Sequence, residues 1–156
     1  MNFEKLAQSS EEAIGLAISK NNMAVLELKN QNFEKAYQIS KQSVTLLETK
    51  LFAEIRFASS SKDIDLKSEK GFTDRLQVLL ISYFNMGMSQ AKTGNIQQAK
   101  LIFEQGFKMG KRYLGEDHFF TQRFARRNEK PLGNGEVPSP QKSIKHENSQ
   151  KQGFMY

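Results

Sequence analysis

The segment with the strongest hint of chemistry in this chain is Gly106-Phe107-Lys108-Met109-Gly110-Lys111-Arg112, whose composition is similar to that of a phosphate-binding loop. It has one residue too few between its glycines, and Arg112 stands where such a loop has the hydroxyl that binds magnesium. Helical spacing also continues through the whole segment, with no strand before it. We therefore expect Gly106 and Gly110 to serve close helix packing rather than nucleotide binding.

The histidines, carboxylates and cysteines give no catalytic or metal-binding constellation. His118 and His146 are the two histidines, neither has a second ligand at metal spacing, and the chain has no cysteine. The adjacent Glu11 and Glu12 fall in the first turn of an expected helix, where the helix dipole stabilises negative charge without any catalytic role. His118 lies at the start of another expected helix, which favours a capping or packing role. We expect no enzyme activity, no metal and no cofactor.

The composition is that of a small intracellular domain with a basic surface. The chain has 156 residues, 38% of them hydrophobic, and its 23 Lys and Arg against 17 Asp and Glu give a net charge of +6. No apolar stretch approaches the roughly 20 residues that a membrane span needs. The first residues lack the basic and then apolar order of a secretory signal. These features predict a cytoplasmic protein without a membrane span, whose charge permits contact with acidic surfaces.

The elements that must position these residues are predicted to be helices. All three prolines lie after residue 130, so nothing before that point removes a helical N–H. Apolar residues at three-and-four spacing predict five helices, at about 10–29, from Phe33 to the Ser59-Ser60-Ser61 run, from Phe72 to Ala91, up to Tyr113, and from His118 to about Arg127. Ser9 with Glu12 is the expected capping box of the first helix, and Asp117 is the expected N-cap of the fifth.

Two regions of different composition follow from this pattern. Residues 1–127 are predicted to form one all-α domain, because there are too few β-branched residues to build a sheet. Residues 128–156 are rich in Gly, Pro, Ser, Gln, Asn and Lys and cannot bury enough apolar surface to offset their conformational entropy. We expect them to form an irregular tail that is flexible or bound to a partner.

A fixed order of small and large residues recurs in the two helix pairs. The second pair carries the whole order, and the first pair keeps Met23, Ala24, Phe33 and Ala36 in corresponding places. The members of the order in the second pair are Tyr83, Met86, Gly87, Gly94, Ala99, Phe103 and Gly106. The small residues set how closely two helices approach, and large ones such as Phe103 fill the gap between pairs. Ser40 and Ser43 replace a large and a small residue, so the first repeat is degenerate.

This order resembles the tetratricopeptide (TPR) repeat, and two segments, Asn21-Asn22-Met23-Ala24 and Leu114-Gly115-Glu116-Asp117-His118, resemble the repeats of kinesin light chains in particular. The resemblance covers roughly residues 20–127. It implies TPR-like antiparallel helical hairpins, a fragment of an α-solenoid. Two departures stand out: Ala36 and Ala99 are 63 residues apart, against a repeat length of about 34, and Phe119 stands where the subgroup usually has proline.

The resemblance also implies a protein-binding groove lined by the first helix of each pair. The matching positions are Asn21, Val25 and Lys29 in the first repeat and Phe84, Met88 and Lys92 in the second. The Lys and Asn with which chaperone-binding repeats hold a terminal carboxylate are absent from the first two positions of each set. Phe84 and Met88 would suit an apolar helix or strand. The alternative for Phe84 is that it belongs to the core.

A basic patch is the second candidate surface, and its members are Lys108, Lys111, Arg112, Arg123, Arg126 and Arg127. Lys130 and the aromatic Phe119, Phe120 and Phe124 are nearby in sequence, and the aromatics fall at inward-facing helical spacing. Three interpretations stay open: an ordinary solvated surface, a contact with an acidic protein surface such as that of tubulin, or, least favoured, a nucleic-acid site.

Two helical pairs are too few to cover their own apolar sides, because solenoid units gain stability from neighbours and about three are normally needed. We therefore expect a non-enzymatic scaffold subunit of a large assembly. The resemblance and the basic balance favour the ciliary axoneme or another microtubule-based structure, with tubulin or axonemal proteins as partners. The alternative is a soluble TPR adaptor that binds a peptide in its concave groove.

Overall fold

A computed structural model describes residues 3–61, 64–67, 69 and 71–129, with side chains described from residue 12 onward. These residues form five α-helices and no strand: α1 (Phe3–Lys29), α2 (Phe33–Ser60), α3 (Phe72–Lys92), α4 (Ile96–Leu114) and α5 (Phe119–Glu129). The all-α prediction is confirmed. The predicted tail lies outside the described residues, together with Lys130 and His146, except that Asn128 and Glu129 extend α5.

Two predicted helix starts are wrong. α1 begins at Phe3, so Ser9 lies inside the helix and cannot cap it; no glycine or proline in the first residues stops the helix from extending toward the N-terminus. α5 begins one residue after His118, which takes the N-cap position predicted for Asp117. The His118 backbone oxygen accepts a hydrogen bond from the Gln122 N–H at 3.0 Å, and its Nδ1 accepts one from the Phe120 N–H at 3.3 Å.

The odd-numbered helices form one layer. α1 packs against α3 and α3 against α5, while α2 lies against both α1 and α3, and α4 against both α3 and α5. α2 and α4 do not contact each other among these described helices. Each even-numbered helix therefore fills the space between two neighbours of the odd-numbered layer, and α3 contacts all four other helices.

Three aromatic rings, one from each of α3, α4 and α5, pack together in the core, and two of them, Phe103 and Phe124, lie directly on glycines. Phe84, Phe103 and Phe124 lie with ring centroids 5.6 to 6.3 Å apart. A Cβ atom at Gly87 would lie 2.5 Å from the Phe103 ring, and one at Gly106 would overlap the Phe124 ring. The predicted packing role of Gly106 is therefore confirmed, since the missing side chain makes room for α5.

The turns of the two helical pairs have the same geometry. The Asn32 amide donates to the Glu27 carboxylate at 2.7 Å, and the Asn95 amide donates to the Gln90 side-chain oxygen at 2.7 Å. Asn32 and Asn95 also have nearly equal dihedral angles, with φ −84° and ψ 62° against φ −79° and ψ 60°. Before them, Gln31 and Gly94 both have positive φ. Residues 27–36 and 90–99 are thus one structural unit used twice.

Polar groups are buried where α2 meets α3. The Arg75 guanidinium donates to the Glu54 carboxylate at 2.7 Å, and neither side chain is more than 1% exposed. The hydroxyls of Ser43 and Ser82 form a buried hydrogen bond of 2.8 Å. Tyr83 donates its hydroxyl hydrogen bond to the Glu48 carboxylate. This interface therefore fixes the register of α3 on α2 through directional contacts as well as packing.

Candidate protein-binding surfaces

The predicted groove residues of the first repeat differ in exposure. Asn21 is buried, and its side-chain amide donates to the Val78 backbone oxygen at 3.2 Å, so it ties α1 to α3. Val25 is half-buried and Lys29, in the last turn of α1, is exposed. Of the three positions, Val25 and Lys29 are therefore the ones that a partner can reach.

The predicted groove residues of the second repeat are more deeply placed. Phe84 is 5% exposed and Met88 is also buried, whereas Lys92 is half-buried in the last turn of α3. Phe84 packs edge-on against Phe124 at a centroid distance of 5.7 Å. Phe84 therefore lies in the core, which was the alternative to a groove position, because α5 covers it.

Two members of the predicted basic patch lie over a predicted groove residue. The Arg123 guanidinium lies 4.0 Å from the centre of the Phe84 ring, and that of Arg127 lies 5.9 Å from it. Such contacts between a cation and an aromatic face are attractive. The two surfaces that were separate in the sequence thus meet at the junction of α3 and α5.

The electrostatics of this junction favour an anion. Burial and, to a lesser degree, the neighbouring charge of Arg127 lower the pKa of Arg123 below its usual value. No ion pair to Arg123 forms within the described part of the chain. A carboxylate bound here would relieve the repulsion between the two guanidinium groups, and Arg can bind it through two parallel hydrogen bonds.

A buried amide lies next to the same junction. Asn85 follows Phe84 on α3 and is 5% exposed, and its Nδ2 has no hydrogen-bond partner among the described residues. Helical spacing places Asn85 on the same face of α3 as Met88 and Lys92. An unpaired buried donor is costly, so a peptide carbonyl near this face would gain a hydrogen bond at little expense.

The basic-patch residues on α4 have local contacts instead. Lys108 forms an ion pair with Glu104 at 2.7 Å, and Lys111 forms one with Glu116. Arg112 lies 5.2 Å from the centre of the Tyr113 ring. Arg126, on α5, is exposed. The structure therefore separates the predicted patch into residues of α4, two of which form ion pairs, and the residues of α5, two of which lie beside Phe84.

The prediction that the aromatic residues of α5 face inward is wrong for Phe119. Phe124 is fully buried and Phe120 is half-buried, as the inward-facing spacing predicts, but Phe119 is 67% exposed. Phe119 follows His118 directly, and its ring packs edge-on against Phe120 at a centroid distance of 5.4 Å.

The buried Glu54 and Arg75 were not among the predicted functional residues. A usable signal was present, because Glu54 stands in the apolar series Leu47, Leu51 and Ala58, all of which are buried on α2. Arg75 likewise stands beside Phe72, Leu76 and Leu79 on the buried face of α3. Charges of opposite sign within two apolar faces indicate an interhelical pair.

Within the described ranges, no helix is long and apolar enough to cross a membrane, and no three potential metal-ligating side chains cluster together. In comparisons with known proteins, no family model, no curated protein and no solved structure matches this chain.

Proposed function

We propose that this chain is a non-enzymatic protein-protein interaction subunit, built from TPR-like helical hairpins, that acts as a scaffold within a larger assembly. The observation that carries the proposal is the repeated turn: Glu27 with Asn32 and Gln90 with Asn95 make the same hydrogen bond in two successive hairpins. Stacked hairpins of one design create extended surfaces, and repeat proteins use such surfaces to bind other proteins.

Two features support incorporation into an assembly. Large apolar side chains of α1, Leu16, Met23 and Leu26, are about half exposed, and such exposed apolar residues in a row mark interaction sites. The net charge of +6 suits an acidic partner surface. We place the protein in the cytoplasm and, on its resemblance to kinesin light chain repeats, on a microtubule-based structure such as the ciliary axoneme, with tubulin or axonemal proteins as partners.

The experiment that tests this setting is sedimentation of the purified full chain with microtubules. We expect the chain to pellet with them at low salt and to be released as the salt concentration rises, because exposed charges are screened. An equal amount in the pellet with and without microtubules would contradict the proposed partner.

The second candidate is a soluble adaptor that captures an acidic peptide in the groove, and the arrangement of Arg123 and Arg127 beside Phe84 favours it. A fluorescent glutamate-rich peptide is the probe. Arg123→Ala should weaken its binding about tenfold, in line with loss of one charge-assisted contact. The matched control is Arg126→Ala, which removes an exposed arginine of the same helix. Equal weakening by both substitutions would mean unspecific charge attraction and would contradict groove binding.

A further inference from the structure

Residues 9–29 of α1 have counterparts in α3, because the shared turn fixes the correspondence between the two helical pairs. Ala36 and Ala99 occupy the same position after that turn and are 63 residues apart. The same shift relates Leu16 to Leu79, Ser19 to Ser82 and Met23 to Met86. All three pairs are identical in residue type.

The members of each pair differ sharply in exposure. Leu79 is 0% exposed and Leu16 53%; Met86 is 8% exposed and Met23 51%; Ser82 is buried and Ser19 exposed. Leu79, Ser82 and Met86 share one face of α3 by their helical spacing. α2 packs on that face, as the hydrogen bond between the Ser43 and Ser82 hydroxyls shows. The same three side chains on α1 lack an equivalent helix among the described residues.

We propose that Leu16, Ser19 and Met23, here called the α1 face, form the docking surface for one helix of a partner protein, which packs on α1 as α2 packs on α3. The partner helix runs antiparallel to α1. It carries a small or hydroxyl-bearing residue opposite Ser19 and apolar residues opposite Leu16 and Met23.

A different protein, rather than a second copy, fits this surface. The docking helix must offer a face like that of α2, and within the described chain the two helices of this kind are already covered, α2 by α3 and α4 by α5. None of these described helices offers a free face of this type, so we assign the docking helix to a partner protein. This inference deepens the proposed scaffold function and rests on it, because it names the surface and the chemistry of the partner.

Charge complementarity adds a second requirement. Arg75 of α3 meets Glu54 of α2 at 2.7 Å, and the counterpart of Arg75 in α1 is Glu12, which is exposed. The sign of the charge is reversed at this position. The partner helix therefore carries Lys or Arg where α2 carries Glu54, and a helix with an acidic residue there is disfavoured.

The test uses α2 itself as the template for the probe. Two fluorescent peptides comprise residues 33–60, one with the natural sequence and one with Glu54→Arg, and fluorescence anisotropy measures their binding to the full chain. We expect the Glu54→Arg peptide to bind about tenfold more tightly, since one contact changes from repulsive to attractive. Glu12→Arg in the full chain should reverse this preference.

Substitution of the α1 face keeps the test specific. Leu16→Lys with Met23→Lys should abolish binding, whereas Leu101→Lys, at an exposed leucine of α4, should leave it unchanged. Circular dichroism should show the same helix content for all three chains. Binding that survives the double substitution, or no preference between the peptides, would overturn the inference.

Light scattering of the full chain measures whether the α1 face binds a second copy of this chain. A monomer is expected; a dimer that Leu16→Lys with Met23→Lys dissociates would assign the α1 face to a second copy and overturn the proposal. The proposed scaffold function is tested separately, by incorporation into a native complex. If a complex forms and the peptide does not bind, only the inference about the α1 face fails.

Discussion

Glu54 on α2 and Arg75 on α3 form an ion pair of 2.7 Å in which neither side chain is more than 1% exposed. The pair lies between the first helical hairpin and the second. Because charges removed from water are stable only when they are paired, it makes the packing of α3 on α2 depend on both residues.

Removing one partner of this pair should be strongly destabilising. We expect Glu54→Ala to lower the free energy of unfolding by about 3–5 kcal/mol, because it removes the carboxylate that accepts a hydrogen bond from the buried Arg75 guanidinium. The double substitution Glu54→Leu with Arg75→Leu should cost less than Glu54→Ala. Urea denaturation of the full chain measures both. The control is Lys108→Ala, which breaks the exposed pair with Glu104 and should change stability by less than about 1 kcal/mol. A double variant that loses as much stability as Glu54→Ala, or more, would contradict the buried pair.

A side chain at Gly106 should push α5 away from α4. A Cβ atom there would overlap the Phe124 ring, and overpacking of this kind costs about 1–3 kcal/mol. We therefore expect Gly106→Ala to be destabilising in thermal or urea unfolding. Gly15→Ala is the matched control, since Gly15 lies within α1 with no atom within 4 Å of the added Cβ, and alanine there should stabilise the helix by up to about 1 kcal/mol. A stabilising effect at both positions would rule out the close approach at Gly106.

Tyr83 should make the protein sensitive to alkaline pH. Burial, followed by the hydrogen bond to the Glu48 carboxylate, raises the pKa of Tyr83 above its ordinary value of 10.0. A group whose pKa is raised on folding contributes stability below its unfolded pKa and loses it at higher pH. The free energy of unfolding should therefore fall as the pH rises above 10. Tyr83→Phe should flatten this decline, and parallel pH profiles for the two chains would count against the assignment.

His118, rather than Asp117, should determine how firmly α5 begins. Its Nδ1 accepts the Phe120 N–H at 3.3 Å, so His118→Ala should cost about 1 kcal/mol, the usual contribution of an N-cap. Asp117→Ala should have a smaller effect, because Asp117 precedes the cap. Amide hydrogen exchange of residues 119–122 locates the effect. Faster exchange there in Asp117→Ala than in His118→Ala would reverse the assignment.

The sequence predicted the all-α class and the approximate bounds of the helices, because helical periodicity and turn residues carry that information. The turn at Thr93-Gly94-Asn95 was predictable from its glycine, which has a positive φ in the structure. The close approach at Gly106 was predictable from the alternation of small and large residues. The start of α1 was not predictable in this way, since Ser9 is a good cap but also a tolerable helix residue.

The candidate site was harder to predict than the fold. Sequence spacing placed Phe84 in a groove and Arg123 in a basic patch, and each of these is a property of one helix. Their meeting at 4.0 Å depends on where α5 packs relative to α3. Nothing local to either helix specifies that tertiary relationship. Glu54 and Arg75 each stand out in the sequence as a charge within an apolar face, but which two helices these charges join depends on the same tertiary packing.

We propose that this chain works as a subunit of a larger protein assembly. The most direct measurement is the size of the native protein in gentle extracts of the cells that make it, by size-exclusion chromatography with mass spectrometry of the same fractions. We predict elution far above the 17.9 kDa of the chain, together with one or more partners in fixed ratio. Elution as a free 17.9 kDa monomer would contradict it.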